Sequence, residues 1–283
     1  MPIAFGGIAL GVLIGYPLGG AAYQLLGKPA PFMIITFFIL ISIGLQLAYL
    51  KTNKENEEKK KLDSTYKQWL DLLKNKVTII SGCAICICTT SMAILEPCVP
   101  MWLLLHMKPR PSKWQLGAVF IPDSLGYFIG SHFAGLLPVL PWRISISAMV
   151  VAGISCCYVP MANTMMQLAI PHFGLGLGVG AVDASLVPLL ANFVDDQGSN
   201  QYGPVYAFQQ AAVAIAYSFG PLLGGQAVEV LGFPWLMRLV GFLNLMLCPL
   251  LLEIEKETGR KPILRTGKSI SYSTLETTDS FSE

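Results

Sequence analysis

Three carboxylic acids, Glu96, Asp123 and Asp183, lie inside otherwise apolar stretches of this 283-residue chain, and no lysine or arginine lies deep in those stretches to pair with them. A charge at mid-bilayer costs at least about 2.5–3.5 kcal/mol, so such acids normally face a bundle interior or a water-filled cavity. Desolvation without a basic partner disfavours the charged form of a carboxyl. Chemically, each acid is therefore suited to carry a proton or to act as counter-ion to a cation. Asp183 is the sharpest case. It sits in GLGLGVGAVDASLVP, after Gly174, Gly176, Gly178 and Gly180. Those glycines suit either close helix approach or a flexible backbone beside a cavity. Four positions separate Asp123 from Tyr127, so the two can hydrogen-bond along one helix face, with Phe120 one turn earlier. Glu96 precedes Pro97, Pro100 and Trp102. Trp102 suits either an interfacial anchor or a gate.

Tyr206, Gln210 and Tyr217 are spaced by 4 and 7 residues and share one helix face. Gln209 and Gln210 are costly in lipid and are expected to point inward. The tyrosine rings can pack or can stack on a cationic ligand. His106, His132 and His172 fall toward the ends of apolar stretches and read as interfacial residues. The C-x-x-C-x-C run Cys83, Cys86, Cys88 has no second ligand cluster and reads as small lipid- or core-facing residues. There is no nucleophile–base constellation, P-loop or dinucleotide fingerprint. No catalytic residues, cofactor or metal are therefore called for, which leaves a gradient-driven carrier as the economical reading.

The elements that must position these residues are membrane helices. Hydrophobic residues make up 53% of the chain and charged residues only 13%, against about 25% charged in ordinary soluble domains. A mean hydropathy of +0.57 excludes a water-facing globule. A span needs about 20 mainly apolar residues. Eight stretches qualify: Ile3–Leu26, Phe32–Leu50, Val77–Leu105, Gln115–Leu137, Ile144–Met161, Met165–Phe193, Val205–Leu231 and Phe233–Leu252. Lipid offers the backbone no hydrogen bonds, so helices are expected, giving an all-α integral membrane fold. The lysine-rich loop from Lys51 to Lys76 is expected to face the cytoplasm. Both termini then lie on that side, in agreement with the basic residues of the tail. The loop bearing Lys108, Arg110 and Lys113 falls on the opposite side, against the rule. Ser269–Glu283 reads as a disordered tail.

At this point the motifs resemble a known family. Gly11, Gly15, Pro17, Gly19 and Gly20 in GIALGVLIGYPLGG resemble the glycine–proline antiporter motif of proton-coupled antiporters in the major facilitator superfamily. AILEPCVPMW, KWQLG, VGAVDASLVPLL, QYGPVYAF, FGPLLGG and LGFPWLM, in that order, resemble the vesicular amine transporters, the monoamine branch more than the acetylcholine branch. The resemblance runs to about Leu252. It implies that the eight spans correspond to helices five to twelve of a twelve-helix fold, and that the chain is a fragment or short form lacking the first four. Residues 1–50 would be the last two helices of the N-terminal half, and 51–76 the cytoplasmic linker. Residues 77–252 would be the C-terminal six-helix half, and 253–283 a cytoplasmic tail.

The resemblance also implies roles. Asp183 and Glu96 match acids of proton coupling. Trp102, Tyr127, Phe120, Tyr206 and Tyr217 match aromatic residues of the site or its gates. Gln210 stands where the family has a second acid, and Asp123 where it has a small residue, so Asp123 is expected to replace part of the missing carboxylate. The implied activity is loading of a small cationic amine into acidic synaptic or secretory vesicles against protons. A related organic-cation antiporter and a non-transporting fragment are the alternatives. Ile263–Leu264 resembles a vesicle-sorting pair.

Overall fold

The computed structural model describes residues 2–52, 73–137, 139–196 and 203–258. Most of the expected linker, the tail and Ile263–Leu264 lie outside the described residues. Among the described residues the regular structure is entirely helical. The helices are α1 (Pro2–Leu26), α2 (Pro29–Thr52), α3 (Lys76–His106), α4 (Lys113–Ala118), α5 (Ile121–Phe133), α6 (Pro141–Tyr158), α7 (Met165–Asp196), α8 (Gly203–Leu231) and α9 (Phe233–Thr258). Six helices, α2, α3, α6, α7, α8 and α9, are long and apolar enough to cross a membrane, and the apolar stretch Leu10–Leu26 of α1 is shorter.

Local chemistry sets the helix ends. The Asn75 side chain accepts a hydrogen bond from the Val77 amide at 2.8 Å and caps α3. The Gln115 side chain accepts from the Ser112 amide at 2.8 Å at the start of α4. Gly27 (φ 90°) and Gly232 (φ 78°) adopt left-handed conformations that end α1 and α8 and permit short turns into the next helix.

The span expected over Gln115–Leu137 is not one helix. It breaks between α4 and α5 at Val119–Phe120, and a 3₁₀ turn, Ala134–Leu136, follows α5. The physical reason is Pro122. It has no amide proton, and its ring conflicts with the carbonyl four residues earlier, so a new helix starts beside it.

Glycine sets the packing at the centre. Successive even positions on a helix lie about 200° apart, so the glycines of α7 face two opposite neighbours. A Cβ on Gly176 or Gly180 would collide with the α5 carbonyls of Asp123 and Tyr127. A Cβ on Gly126 or Gly130 of α5 would collide with the α7 carbonyls of Phe173 and Leu177. On the other face, Gly178 lies against Ala148 and Ala152 of α6, and Gly174 against Ser155. Of the two readings open to these glycines, close helix approach is the one realised. The apolar core runs through α3, α6, α7 and α9 and the α4–α5 break, with Trp142, Leu95, Met149, Leu186 and Met237 fully buried. Helix α1 packs on α4 and α5, and α2 packs mainly on α1.

Candidate functional site

The buried acid Asp183 on α7 is reached from two neighbouring helices. The Tyr127 hydroxyl of α5 donates to its Oδ2 at 3.1 Å. The Gln209 side chain of α8 also hydrogen-bonds its carboxyl. Asp183 and Gln209 are both buried, at 5% and 2% exposure. One carboxyl thus ties three helices together, and among the described residues no lysine or arginine pairs with it. Tyr127 lies at the level of Gly180 because α5 and α7 touch backbone to backbone there. The glycines place the hydroxyl that meets the acid.

A second cluster surrounds Glu96. The Tyr217 hydroxyl of α8 donates to Glu96 Oε1 at 3.0 Å. The Tyr16 hydroxyl of α1 hydrogen-bonds the same carboxyl. The Tyr16 ring lies 4.8 Å, centroid to centroid, from Phe120 at the α4–α5 break. Phe120 in turn lies 6.1 Å from the His172 ring. This cluster is more open than that of Asp183: Glu96 is half-buried and Tyr217 is 41% exposed.

The third acid is isolated. Asp123 has 0% exposure, and neither carboxyl oxygen has a hydrogen-bond partner. The bond expected between Asp123 and Tyr127 is not made, because Tyr127 extends across the helix interface to Asp183. Asp123 is nevertheless close enough to Glu96 to feel its charge.

Two further expectations are corrected. Gln210 is exposed and only Gln209 is buried, because neighbours on a helix are about 100° apart and α8 turns Gln209 inward. His172 is not interfacial. It is fully buried, with Nδ1 against the Leu168 carbonyl at 3.1 Å and Nε2 without a partner. The long α7 carries it well inside the bundle. His106 is exposed and His132 half-buried, as the ends of their helices dictate.

The other named residues separate. Tyr206 is half-buried on the same α8 face as Tyr217. Trp102 is buried, stacked between His106 at 5.3 Å and Phe233 at 5.1 Å, where α3 meets the start of α9. Gly20 of the glycine–proline motif lies against Lys113 and Trp114 of α4, whereas Gly11, Gly15 and Gly19 meet nothing within 4 Å. They line an apolar groove of about 410 Å³ between α1 and α2 with Leu10, Ile14 and Phe38.

Residue pattern alone missed Tyr16 and the α5 glycines. The signal for the second was present as the four-residue spacing of Gly126 and Gly130, matching that of Gly176 and Gly180. Tyr16 carried no such signal, because its partners lie on other helices. All seven cysteines are free, and among the described residues no cluster of His, Cys, Asp and Glu could hold a metal ion.

The described helices thus bring together two acids held by tyrosines, Asp183 by Tyr127 and Glu96 by Tyr217. The Major Facilitator Superfamily profile matches residues 1–202, and the chain belongs to that superfamily. Its similar relatives include the chromaffin granule amine transporter of Rattus norvegicus, 39% identical over 92% of this chain and 49% of the relative. The synaptic vesicular amine transporter of Homo sapiens is 35% identical over 88% of this chain and 48% of the relative. The vesicular acetylcholine transporter of Tetronarce californica is 32% identical over 93% and 51%. The chain thus spans about half the length of the curated relatives it matches.

Proposed function

We propose that this chain contributes to proton-coupled transport of a cationic amine into an acidic vesicle, by alternating access. The observation that carries the proposal is Asp183, buried without a basic partner and held by hydroxyl and amide donors from two other helices. An ionised carboxylate accepts both hydrogen bonds, and charge-assisted bonds are about twice as strong as neutral ones. Protonation from the acidic lumen removes that charge and weakens the ties from α7 to α5 and α8 together. Helices freed in this way can rock about the central site and release a bound cation. Glu96 and Asp123 add two more acids to the same bundle, and Asp123 takes up part of the coupling.

In this reading α1 and α2 belong to one half of the transporter, and α3 to α9 to the other. Residues 51–76 form the cytoplasmic linker, and both termini face the cytoplasm. The two amine transporters in the comparison are more similar to this chain than the acetylcholine transporter, which favours an amine other than acetylcholine as cargo. The decisive experiment is uptake driven by a pH gradient in acidified proteoliposomes. Asp183→Asn keeps the shape of the acid and removes its titration, and is expected to abolish uptake. Retained uptake overturns the proposal.

A further inference from the structure

The basic loop between α3 and α4, which runs against the charge rule, becomes part of a larger surface once the helices pack. Helix α3 ends at His106 and α4 begins at Lys113. Lys108, Arg110 and Lys113 are all exposed. The end of α1 lies beside them. Gly20 has no Cβ, and the Lys113 carbonyl and Trp114 Cα lie 3.3 Å from where one would be. One turn on, the Trp114 amide donates to the Gln24 side chain at 3.2 Å. The Lys113 ammonium lies 4.3 Å from the centre of the Tyr23 ring. Helix α1 then stops, and Lys28 is exposed in the turn after Gly27. Four cations from two separate segments thus share the end of the bundle that lies away from the linker, since α2 ends and α3 begins at the other end.

No acid offsets these charges. Among the described residues none of the four makes an ion pair, and the pair of Lys76 with Glu253 lies at the far end of α3. Glu229, in the last turn of α8, reaches the same end of the bundle but pairs with none of them. The border of the patch is apolar. Leu25 and Leu26 of α1 and Leu105 of α3 are exposed, and Trp114 is 50% exposed. In a membrane helix exposed leucines face acyl chains, and a tryptophan at the helix end sits at headgroup level. The cations therefore stand at headgroup depth, directly beside hydrocarbon. A soluble anion would use the charges alone. A phospholipid uses both parts of the surface.

We infer that this end of the bundle is a docking surface for an anionic phospholipid: Lys28, Lys108, Arg110 and Lys113 hold the headgroup, and the acyl chains run beside Trp114. The inference does not depend on the transport reading above. Lys28 follows α1, and the other three cations belong to the α3–α4 segment, so one headgroup spans both and holds α1 against α4. Charge selects the lipid. Phosphatidylcholine also carries a phosphate, but its choline ammonium cancels that charge and meets the four cations unfavourably. Phosphatidylserine keeps a net negative charge and does not.

The test is quenching of Trp114 fluorescence in the full 283-residue chain, held in phosphatidylcholine nanodiscs. The probe is phosphatidylserine or phosphatidylcholine brominated high on its acyl chains, at the same mole fraction. Bromine quenches only at contact, so lipid gathered by the basic linker at the other end is not read. The chain has five tryptophans, so the Trp114 signal is the difference between each protein and its Trp114→Phe counterpart. The parent is expected to prefer the serine lipid, and Lys28→Gln to lower the preference about fivefold, the worth of one cation near a membrane surface. Lys108→Gln with Arg110→Gln is expected to lower it further, whereas Lys108→Arg with Arg110→Lys keeps the charge and the preference. Lys59→Gln with Lys60→Gln, in the linker, is expected to change nothing. Equal quenching by the two lipids in the parent overturns the inference, and so does a preference that survives Lys108→Gln with Arg110→Gln or is lost in the linker variant. Inorganic phosphate that abolishes the preference at constant ionic strength overturns the lipid as occupant and assigns the cations to a free anion.

Discussion

Replacing Gly176 by alanine adds one methyl group at the closest approach of α5 and α7. Its Cβ would fall deep inside van der Waals contact with the Asp123 carbonyl, and Asp123 Oδ1 lies only 2.9 Å from the same point. Both opposing atoms belong to a buried residue, and the carbonyl is backbone, so no flexible side chain can swing away. The helices must separate locally. A gap of about 0.5–1 Å already forfeits a quarter to a half of each dispersion contact along the seam. Overpacking of this kind costs about 1–3 kcal/mol. Alanine returns up to about 1 kcal/mol of helix propensity, which leaves a net loss of up to about 2 kcal/mol.

Gly15 provides the internal comparison. It is also a helical glycine in an apolar helix, but a Cβ there meets nothing within 4 Å. Gly15→Ala is expected to leave stability unchanged or to raise it by about 0.5–1 kcal/mol. The predicted separation between the two variants is therefore about 2 kcal/mol. The assay is reversible unfolding by sodium dodecyl sulfate in mixed micelles, followed by helical circular dichroism. Values for Gly176→Ala and Gly15→Ala within about 0.5 kcal/mol of each other, the scatter of an ordinary surface substitution, would refute the packing argument. A loss of uptake in Gly15→Ala at unchanged stability would instead assign that glycine to conformational change.

Tyr127→Phe removes one donor from Asp183 and leaves the ring in place. Transport is expected to fall while stability drops by about 0.6–1.7 kcal/mol, the range for interhelical hydrogen bonds in membranes, and wild-type uptake would argue against that bond. Asp123→Ala deletes a buried acid whose oxygens have no partner, so unfolding stability is expected to hold or rise while the pH dependence of uptake flattens; an unchanged pH profile would remove Asp123 from the coupling. Gly232→Ala forces a side chain into a left-handed conformation at φ 78° and is expected to cost about 1–2 kcal/mol, measured in the same unfolding assay, with no loss indicating that the α8–α9 turn rearranges.

Much of this molecule is legible in the residues taken one after another. Apolar runs of about 20 residues declare membrane helices, because hydropathy and length are local properties. Three acids without basic partners stand out as candidates, because burying a charge in lipid is costly wherever it falls. Sequence also marks the glycine ladder of α7, and it reads Gln115–Leu137 as one span. The structure breaks it, into α4 and α5.

The partners of each group were decided only in three dimensions. Asp123 and Tyr127 have the right spacing to bond along α5, yet Tyr127 meets Asp183 on α7. Gln209 and Gln210 are chemically identical and adjacent, and the rotation of α8 about its own axis alone buries the first and exposes the second. Tyr16 finds its partner because Gly117, on another helix, lets α1 come close enough to place a phenol at Glu96. Hydrophobic pattern specifies that a helix is buried in a membrane, where every side is apolar, but not which side faces which neighbour. Small residues set how closely the backbones meet, and that distance determines which polar side chains can bond.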